Sequence, residues 1–224
     1  MYQVNEFWYS PEPPDGFFSQ RLEPRIDVHY QQRYRAWVYQ HIPQRRVMID
    51  VGANIGIFYA VFCLCDPGTE VLVPDPGFAT YYSCIKMCGA VDVHVPLREE
   101  HGFRMQAEDV RKLITDKTRL LILNSPNNPT GAVMTKQELK DIYDLCVEKD
   151  IYLYADEIYS RMIYDDYDFS SPSQYDHCKS HVILSNGFSK AFAMTGWRLG
   201  ALIGPPEVME RMFMLLQTTS SCVS

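Results

Sequence analysis

A lysine and an arginine of this sequence could together bind a phosphate-bearing carbonyl compound. Lys190 follows Ser189, and Arg198 lies eight residues further on, in the segment 195–200. A lysine amine can form an imine with a carbonyl group, and a guanidinium can hold a phosphate through two parallel hydrogen bonds. The pair therefore indicates a covalent site for an anionic cofactor. A surface lysine beside a structural turn is the alternative interpretation.

Two further segments carry polar side chains that could serve the same site. Residues 124–131 join a predicted strand to a predicted helix, and two prolines and a glycine stiffen this turn, so that Asn128 can aim its side chain. Asp156 ends another predicted strand, where a buried carboxylate could meet a cationic ring nitrogen or could merely cap a helix. Tyr159 lies three residues on and reaches the same ligand if the segment turns helically.

The elements that must position these residues alternate between apolar strands and helical segments. Continuous apolar runs indicate strands that are covered on both faces, and the helices between them indicate parallel connections. We therefore predict an α/β fold, a three-layer α/β/α arrangement with a mostly parallel sheet. Strands are expected at residues 47–51, 70–73, 91–95, 120–123, 151–155 and 182–184, and helices at 54–64, 78–88, 108–114 and 136–147.

The carboxyl edge of such a sheet is where ligands bind. Four polar groups are expected to meet at this edge, with Lys190 on a loop just past a strand end. They are residues 52–54, 124–131, 156–159 and 186–190.

Composition excludes several other classes of protein. The chain has 224 residues, enough for one sizeable domain, and its net charge of −7 argues against general nucleic-acid binding. We find no apolar run long enough for a membrane helix, and the first residues do not resemble a secretory signal. The seven cysteines contain no Cys-x-x-Cys and no ligand set for a metal. We expect buried thiols, no bound metal, no membrane partner and a cytoplasmic location.

Three blocks of the sequence, taken in order, carry a resemblance to a known family. Residues 126–131 (Pro-Asn-Asn-Pro-Thr-Gly), residues 156–159 (Asp-Glu-Ile-Tyr) and the segment from Ser189-Lys190 to Gly200 are similar to motifs of the fold type I, pyridoxal-phosphate-dependent aminotransferases. This is the aspartate aminotransferase family, class I and II. Residues 66–78 also resemble that family's pattern, and the resemblance runs from about residue 47 to about residue 217.

The resemblance implies roles around the ring of pyridoxal 5′-phosphate. Lys190 would form the imine with the cofactor and then move a proton, and Asp156 would pair with the protonated ring nitrogen. Asn128 and Tyr159 would bond the phenolic oxygen, with Asp156, Tyr159 and Lys190 as the catalytic set. Phe78 would stack on the ring.

At the phosphate, the resemblance implies a second set of contacts. Arg198 and Ser189 would bind it together with the backbone N–H groups of Ala53 and Asn54 at a helix N-terminus. Tyr9 is a candidate for a contact that a partner subunit makes to the same phosphate.

The function implied is amino-group transfer between an α-amino acid and a 2-oxo acid, in a homodimer. The expected organisation is an N-terminal arm and helical segment (1–46), a cofactor-binding large domain (47–217) and a truncated connection (218–224) to a small C-terminal domain that is absent. A lyase or decarboxylase with the same cofactor and a non-catalytic binding or regulatory module are alternatives.

A motif at the first strand favours a different enzyme class. Asp50, Gly52 and Gly56 follow one another as in the S-adenosylmethionine loop of Rossmann-like methyltransferases, with Asp75 as the acidic residue for the ribose. This alternative leaves residues 125–131, 156–159 and 186–200 without a role.

Overall fold

The computed structural model describes residues 48–50 and 53–219, with residues 48–50, 53 and 54 described by their backbone only. Tyr9 and the predicted arm at 1–46 lie outside the described residues, as do Val51, Gly52 and residues 220–224.

A single sheet organises the described part of the chain. Its seven strands there follow the order β1-β7-β6-β5-β4-β2-β3. Five neighbouring strands pair in parallel, while β7 is antiparallel to both β6 and β1, so β1 runs in the same direction as the other five. The strands are β1 (Met48–Asp50), β2 (Glu70–Asp75), β3 (Val91–Pro96), β4 (Thr118–Asn124), β5 (Tyr152–Asp156), β6 (Val182–Gly187) and β7 (Gly200–Ile203).

Helices connect the strands and cover the sheet. Within the described residues they are α1 (Ala53–Leu64), α2 (Ala79–Met87), α3 (Ala107–Leu113), α4 (Lys136–Glu148), α5 (Ser173–Asp176), α6 (Phe188–Ala191) and α7 (Pro206–Thr219), with 3₁₀ turns at Glu99–His101 and Thr195–Trp197. The best-defined start is that of α4, where Thr135 and Glu138 cap each other's backbone in a capping box.

The core lies on both faces of the sheet. The strand β4 shows why, since Leu120, Leu121, Ile122 and Leu123 are all buried although successive side chains point to opposite faces. One face packs under α1, α2 and α7 in a single apolar cluster, and α3, α4 and α5 contact the strands from the other face. The predicted three-layer α/β/α fold with a mostly parallel sheet is confirmed.

One detail differs from the expectation. Lys190 lies in the short helix α6, not on a loop, because the chain turns helically as soon as β6 ends. The helix α7 extends to Thr219, and the hydroxyls of Thr218 and Thr219 donate to carbonyls one turn earlier. Among the described helices, none is both long and apolar enough to span a bilayer.

Candidate functional site

The carboxyl edge of the sheet brings the candidate residues to one level. Asn124 pairs with Asp156, which pairs with Ser185, so the ends of β4, β5 and β6 are aligned. Across β7, Ala201 pairs with both Asp50 and Asn186, which brings the end of β1 to the same level. The helices α1 and α6 therefore both start at this edge.

The turn after β4 is held by its own amide side chains. Asn124 Oδ1 accepts a hydrogen bond of 2.7 Å from the backbone N–H of Asn128, and its Nδ2 donates to the carbonyl of Asp156 at 3.0 Å. Asn127 Oδ1 accepts from both the backbone and the hydroxyl of Thr130. Because Asn124 ties this turn to β5, the direction of Asn128 is set by two strands.

Asp156 is a buried carboxylate with a strong donor. It is 4% exposed, and its Oδ2 accepts a 2.6 Å hydrogen bond from the hydroxyl of Tyr81 on α2. Burial raises the pKa of Asp156, and the hydrogen bonds from Tyr81 and the backbone of Ile158 act against that rise. Burial, together with the nearby Asp156 charge, raises the pKa of Tyr81 well above its ordinary value, so Tyr81 remains a donor.

Beside this carboxylate, the amine Lys190 lies near a tyrosine–asparagine pair. Asn128 Nδ2 donates to the hydroxyl of Tyr159 at 3.3 Å, and Lys190 Nζ lies 5.8 Å from the centre of the Tyr159 ring. Burial raises the pKa of Tyr159, with the Asp156 charge adding to the effect and Asn128 opposing it. The sheet thus brings together an exposed amine, a phenol, an amide and a buried carboxylate.

Phe78 lies at the entry to α2, where it is the N-cap residue. Its ring meets the ring of Tyr81 edge-on, with centroids 5.6 Å apart and an interplanar angle of 87°. Since Tyr81 in turn contacts Asp156, Phe78 lies on the same side of the sheet as the carboxylate.

The predicted phosphate contacts lie around α1 and β7. The helix α1 begins at Ala53, and its first backbone N–H groups, including that of Asn54, have no partner within the helix. Ser189 is in α6, and Arg198 immediately follows the 3₁₀ turn Thr195–Trp197, with a positive φ of 54° and a hydrogen bond from its guanidinium to the carbonyl of Thr195. Arg198 is exposed and belongs to the connection that leads from Lys190 to β7.

Sequence reasoning missed Tyr81, and it placed Asn124 at this edge only as part of the segment 124–131, without a role of its own. Tyr81 is fully buried in α2 beside a second tyrosine, Tyr82, which instead lies over the sheet edge. The position of Tyr81 three residues after Phe78 puts both on one helical face, and this spacing is the signal that could have identified it. Asn124 is the last residue of β4, after the apolar run 120–123, and a single amide at that position is the signal that could have identified it.

Comparison with known proteins assigns the family. Residues 19–223 match the family described as aminotransferase class I and II. The chain belongs to this family. It is 39% identical over 180 residues to an aspartate aminotransferase of Pyrococcus abyssi, covering 80% of this chain and 46% of that protein. It is 41% identical, with the same coverage, to aromatic-amino-acid aminotransferase 2 of Thermococcus litoralis.

Solved structures of class I and II aminotransferases share the fold. The aromatic aminotransferase of Pyrococcus horikoshii superposes with a TM-score of 0.76 at 40% identity, over 80% of this chain and 48% of that one. The chain thus spans about half the length of the relatives that it matches. The family match replaces the methyltransferase alternative. Asp75, the acidic residue of that alternative, ends β2 and is hydrogen-bonded to His94.

Class I and II aminotransferases depend on pyridoxal 5′-phosphate. The donors described above fit this cofactor, since a buried carboxylate, a lysine amine, a phenol–amide pair and a helix N-terminus meet at one edge of the sheet. A carboxylate suits a protonated ring nitrogen, and backbone N–H groups at a helix N-terminus suit a phosphate.

Replacing Tyr81 by Phe tests the support of Asp156. We expect the free energy of unfolding to fall by about 1–3 kcal/mol, because the buried carboxylate loses its shortest hydrogen bond. Urea unfolding of both proteins measures the change. The control Tyr143→Phe removes a half-buried hydroxyl on α4 and should change stability by less than about 0.5 kcal/mol. Equal losses in the two variants would contradict the role assigned to Tyr81.

A second buried carboxyl group, that of Glu157, makes stability depend on pH. Glu157 is 4% exposed, its Oε1 has no hydrogen-bond partner among the described residues, and burial raises its pKa to about 8, with Ser171 opposing and Asp156 adding to the rise. The folded protein therefore holds a proton on Glu157 that the unfolded chain releases at lower pH. The stabilisation that the protonated Glu157 contributes is fully present below the ordinary pKa of a glutamate, and it is lost as the pH rises toward 8.

The variant Glu157→Gln should remove this dependence. Between about pH 5 and pH 8 the folded protein binds one proton more than the unfolded chain. This difference corresponds to a slope of about 1.4 kcal/mol per pH unit in the free energy of unfolding. We expect the free energy of unfolding to fall with pH more steeply in the wild type than in the variant, by up to this slope. At pH 8.5 the variant should be the more stable of the two proteins. Parallel curves from urea unfolding over this range would show that Glu157 is ionised in the folded protein.

Proposed function

We propose that this chain is the cofactor-binding part of an amino acid aminotransferase, with residues 47–217 as the cofactor-binding domain. The observation that carries the proposal is the convergence of Lys190, Asp156 and the Asn128–Tyr159 pair at the aligned ends of β4, β5 and β6. Membership of the class I and II family supports it.

Around the ring, each residue has a distinct task. Bound pyridoxal phosphate supplies an aldehyde for an amine and a cationic ring that withdraws electrons. Lys190 would hold the cofactor covalently through its Nζ and would carry a proton to and from the substrate Cα. Asp156 would keep a proton on the ring nitrogen, and Asn128 and Tyr159 would donate to the phenolic oxygen.

Other residues of the chain bind and orient the cofactor. Phe78 covers the ring face, where an aromatic contact contributes about 0.5–1.5 kcal/mol beyond area burial. Arg198, Ser189 and the first N–H groups of α1, at Ala53 and Asn54, would hold the phosphate.

The substrates are an α-amino acid and a 2-oxo acid. The similar proteins are named for aspartate, aromatic amino acids, and arginine with pyruvate. We further infer a homodimer, since aminotransferases are typically dimeric. We also infer a cytoplasmic location, because Cys63, Cys65, Cys84, Cys88 and Cys146 are free thiols. Sedimentation of the purified chain measures the first of these.

The visible spectrum of the purified protein tests the function. Pyridoxal phosphate added to the chain should produce a visible band that survives gel filtration, and an excess of aspartate or phenylalanine should then shift it, with release of the 2-oxo acid. A band that no amino acid shifts would mean that the chain binds the cofactor but does not catalyse the reaction. Release of ammonia would indicate a lyase, and the absence of any band would overturn the proposal.

A further inference from the structure

The imidazole of His94, on the edge strand β3, lies between two carboxylates outside the candidate site. Its Nδ1 is 3.1 Å from Oδ2 of Asp75, and its Nε2 is 3.0 Å from Oδ2 of Asp92. A neutral imidazole has a single N–H, so it would direct a lone pair at one of these carboxylates. The geometry therefore corresponds to an imidazolium that donates to both.

The other groups that face His94 come from α2. The ring of Tyr82 stacks on the imidazole with centroids 5.2 Å apart and an interplanar angle of 9°. Lys86 Nζ lies 3.7 Å from Asp92 and offsets part of its charge. The helix α3 packs against the other face of β3, and its charged side chains pair with other groups.

Asp75 and Tyr82, which both contact His94, lie at the turn that leads from β2 into α2. Asp75 is the last residue of β2, and the hydroxyl of Tyr82 donates to the carbonyl of Pro74 at 2.8 Å. The turn is tight, since a Cβ added to Gly77 would lie 2.3 Å from that carbonyl oxygen and 3.0 Å from the Tyr82 hydroxyl. Phe78 is the next residue of this turn.

From Phe78 the contacts continue into the candidate site. Its ring packs edge-on against Tyr81, whose hydroxyl donates to Asp156 at 2.6 Å. A continuous series of contacts thus joins the exposed His94 to the buried carboxylate through a single turn and the first residues of α2.

We propose that His94 is a positioning residue: as an imidazolium it holds Asp75 and Tyr82, and through them the turn that carries Phe78, so that cofactor is retained less tightly once His94 loses its proton. The last step, cofactor retention, rests on the proposed function. The control of the turn by His94 does not depend on it.

The direction of the pH dependence follows from the charges. Desolvation lowers the pKa of His94, but the hydrogen bonds and charges of Asp75 and Asp92 outweigh it and raise that pKa above 6.5. The contribution of the imidazolium is therefore complete below pH 6.5 and is lost as pH rises through the higher folded value. Since the side chains of His94 and Asp75 are 46% and 54% exposed, solvent screens the pair and the effect is modest.

Hydrogen–deuterium exchange of the segment 74–83 tests the first step without cofactor. The ratio of exchange rates between wild type and His94→Gln removes the intrinsic pH dependence of exchange. We expect the variant to exchange about two- to five-fold faster at pH 6 and equally at pH 9. The variant His94→Arg keeps a cation at every pH and should protect the turn at pH 9 as well. His101→Gln, in a 3₁₀ turn, is the control and should match the wild type.

The dissociation constant of pyridoxal phosphate, measured in the same proteins at pH 6 and pH 9, tests the second step. It should rise with pH about two- to five-fold more in the wild type than in His94→Arg. Parallel pH dependence of exchange in wild type and His94→Gln would overturn the inference, because a purely structural His94 lowers protection equally at both pH values. The expected exchange pattern without any cofactor binding would confirm the control of the turn and refute the proposed function.

Discussion

The variant Lys190→Ala should bind no cofactor covalently and should lose the visible band that the wild type shows with pyridoxal phosphate. Lys190 Nζ lies beside Tyr159, 5.8 Å from the centre of its ring. Alanine keeps the helix α6, because its helix propensity exceeds that of lysine. We also expect the rate of the reaction with an amino acid to fall by about 10²–10⁴-fold, since the proton carrier is lost.

Borohydride reduction followed by peptide mass spectrometry gives the decisive measurement for Lys190. In the wild type it should fix the cofactor on the peptide that contains Lys190, and in the variant on none. Lys179→Ala, an exposed lysine after α5, is the matched control and should label as the wild type does. Labelling of another lysine with an unchanged band in Lys190→Ala would assign the covalent site elsewhere.

The variant Asp156→Asn should separate binding from catalysis. The amide has the shape of the carboxylate but no negative charge to keep a proton on the ring nitrogen. We expect cofactor to remain attached through Lys190 while the reaction with an amino acid slows by about 10²–10³-fold, the range found when one preorganised electrostatic contact is removed. Stopped-flow absorbance after addition of the amino acid measures this rate.

The same variant should be more stable than the wild type, although its reaction is slower. Burial raises the pKa of Asp156, so a neutral amide relieves the cost of the buried charge, and we expect the cofactor-free protein to be more stable at alkaline pH. The exposed Asp141→Asn on α4 is the control for both measurements. A slow variant that is also less stable at alkaline pH would indicate general damage to the fold rather than loss of the charge.

Much of this fold could be predicted because buried parallel strands have a simple pattern. β4, β5 and β6 are continuous apolar runs with a polar residue at the carboxyl end, and such runs show both the strand and its place in the sheet. The antiparallel direction of β7 could not be read in this way. Gly200–Ile203 is a strand of four residues, and the connection before it contains only the short helix α6 and a 3₁₀ turn. Neither the length nor the composition of this connection indicates the direction of the strand.

The candidate site was predictable where a residue ends a strand and not where it lies inside a helix. Asn128, Asp156 and Lys190 follow strands, and strand ends meet at one edge by geometry alone. Tyr81 depends on the rotation of α2, which decides that Tyr81 contacts Asp156 while Tyr82 contacts His94. The four-residue helix α6 is too short to produce a period, which is why Lys190 was expected on a loop.

The aligned ends of the strands bear on how such proteins diversify. Asn124, Asp156 and Ser185 are neighbours in register, so their lateral spacing of about 4.8 Å per strand is a property of the backbone ladder and not of any particular side chain. We therefore expect substitutions elsewhere to be able to alter the accepted amino acid without moving the residues that we propose to hold the cofactor. Relatives named for aspartate, for aromatic amino acids and for arginine with pyruvate are 39%, 41% and 38% identical to this chain, a spread of names that agrees with a strand frame on which different substrate contacts can be built.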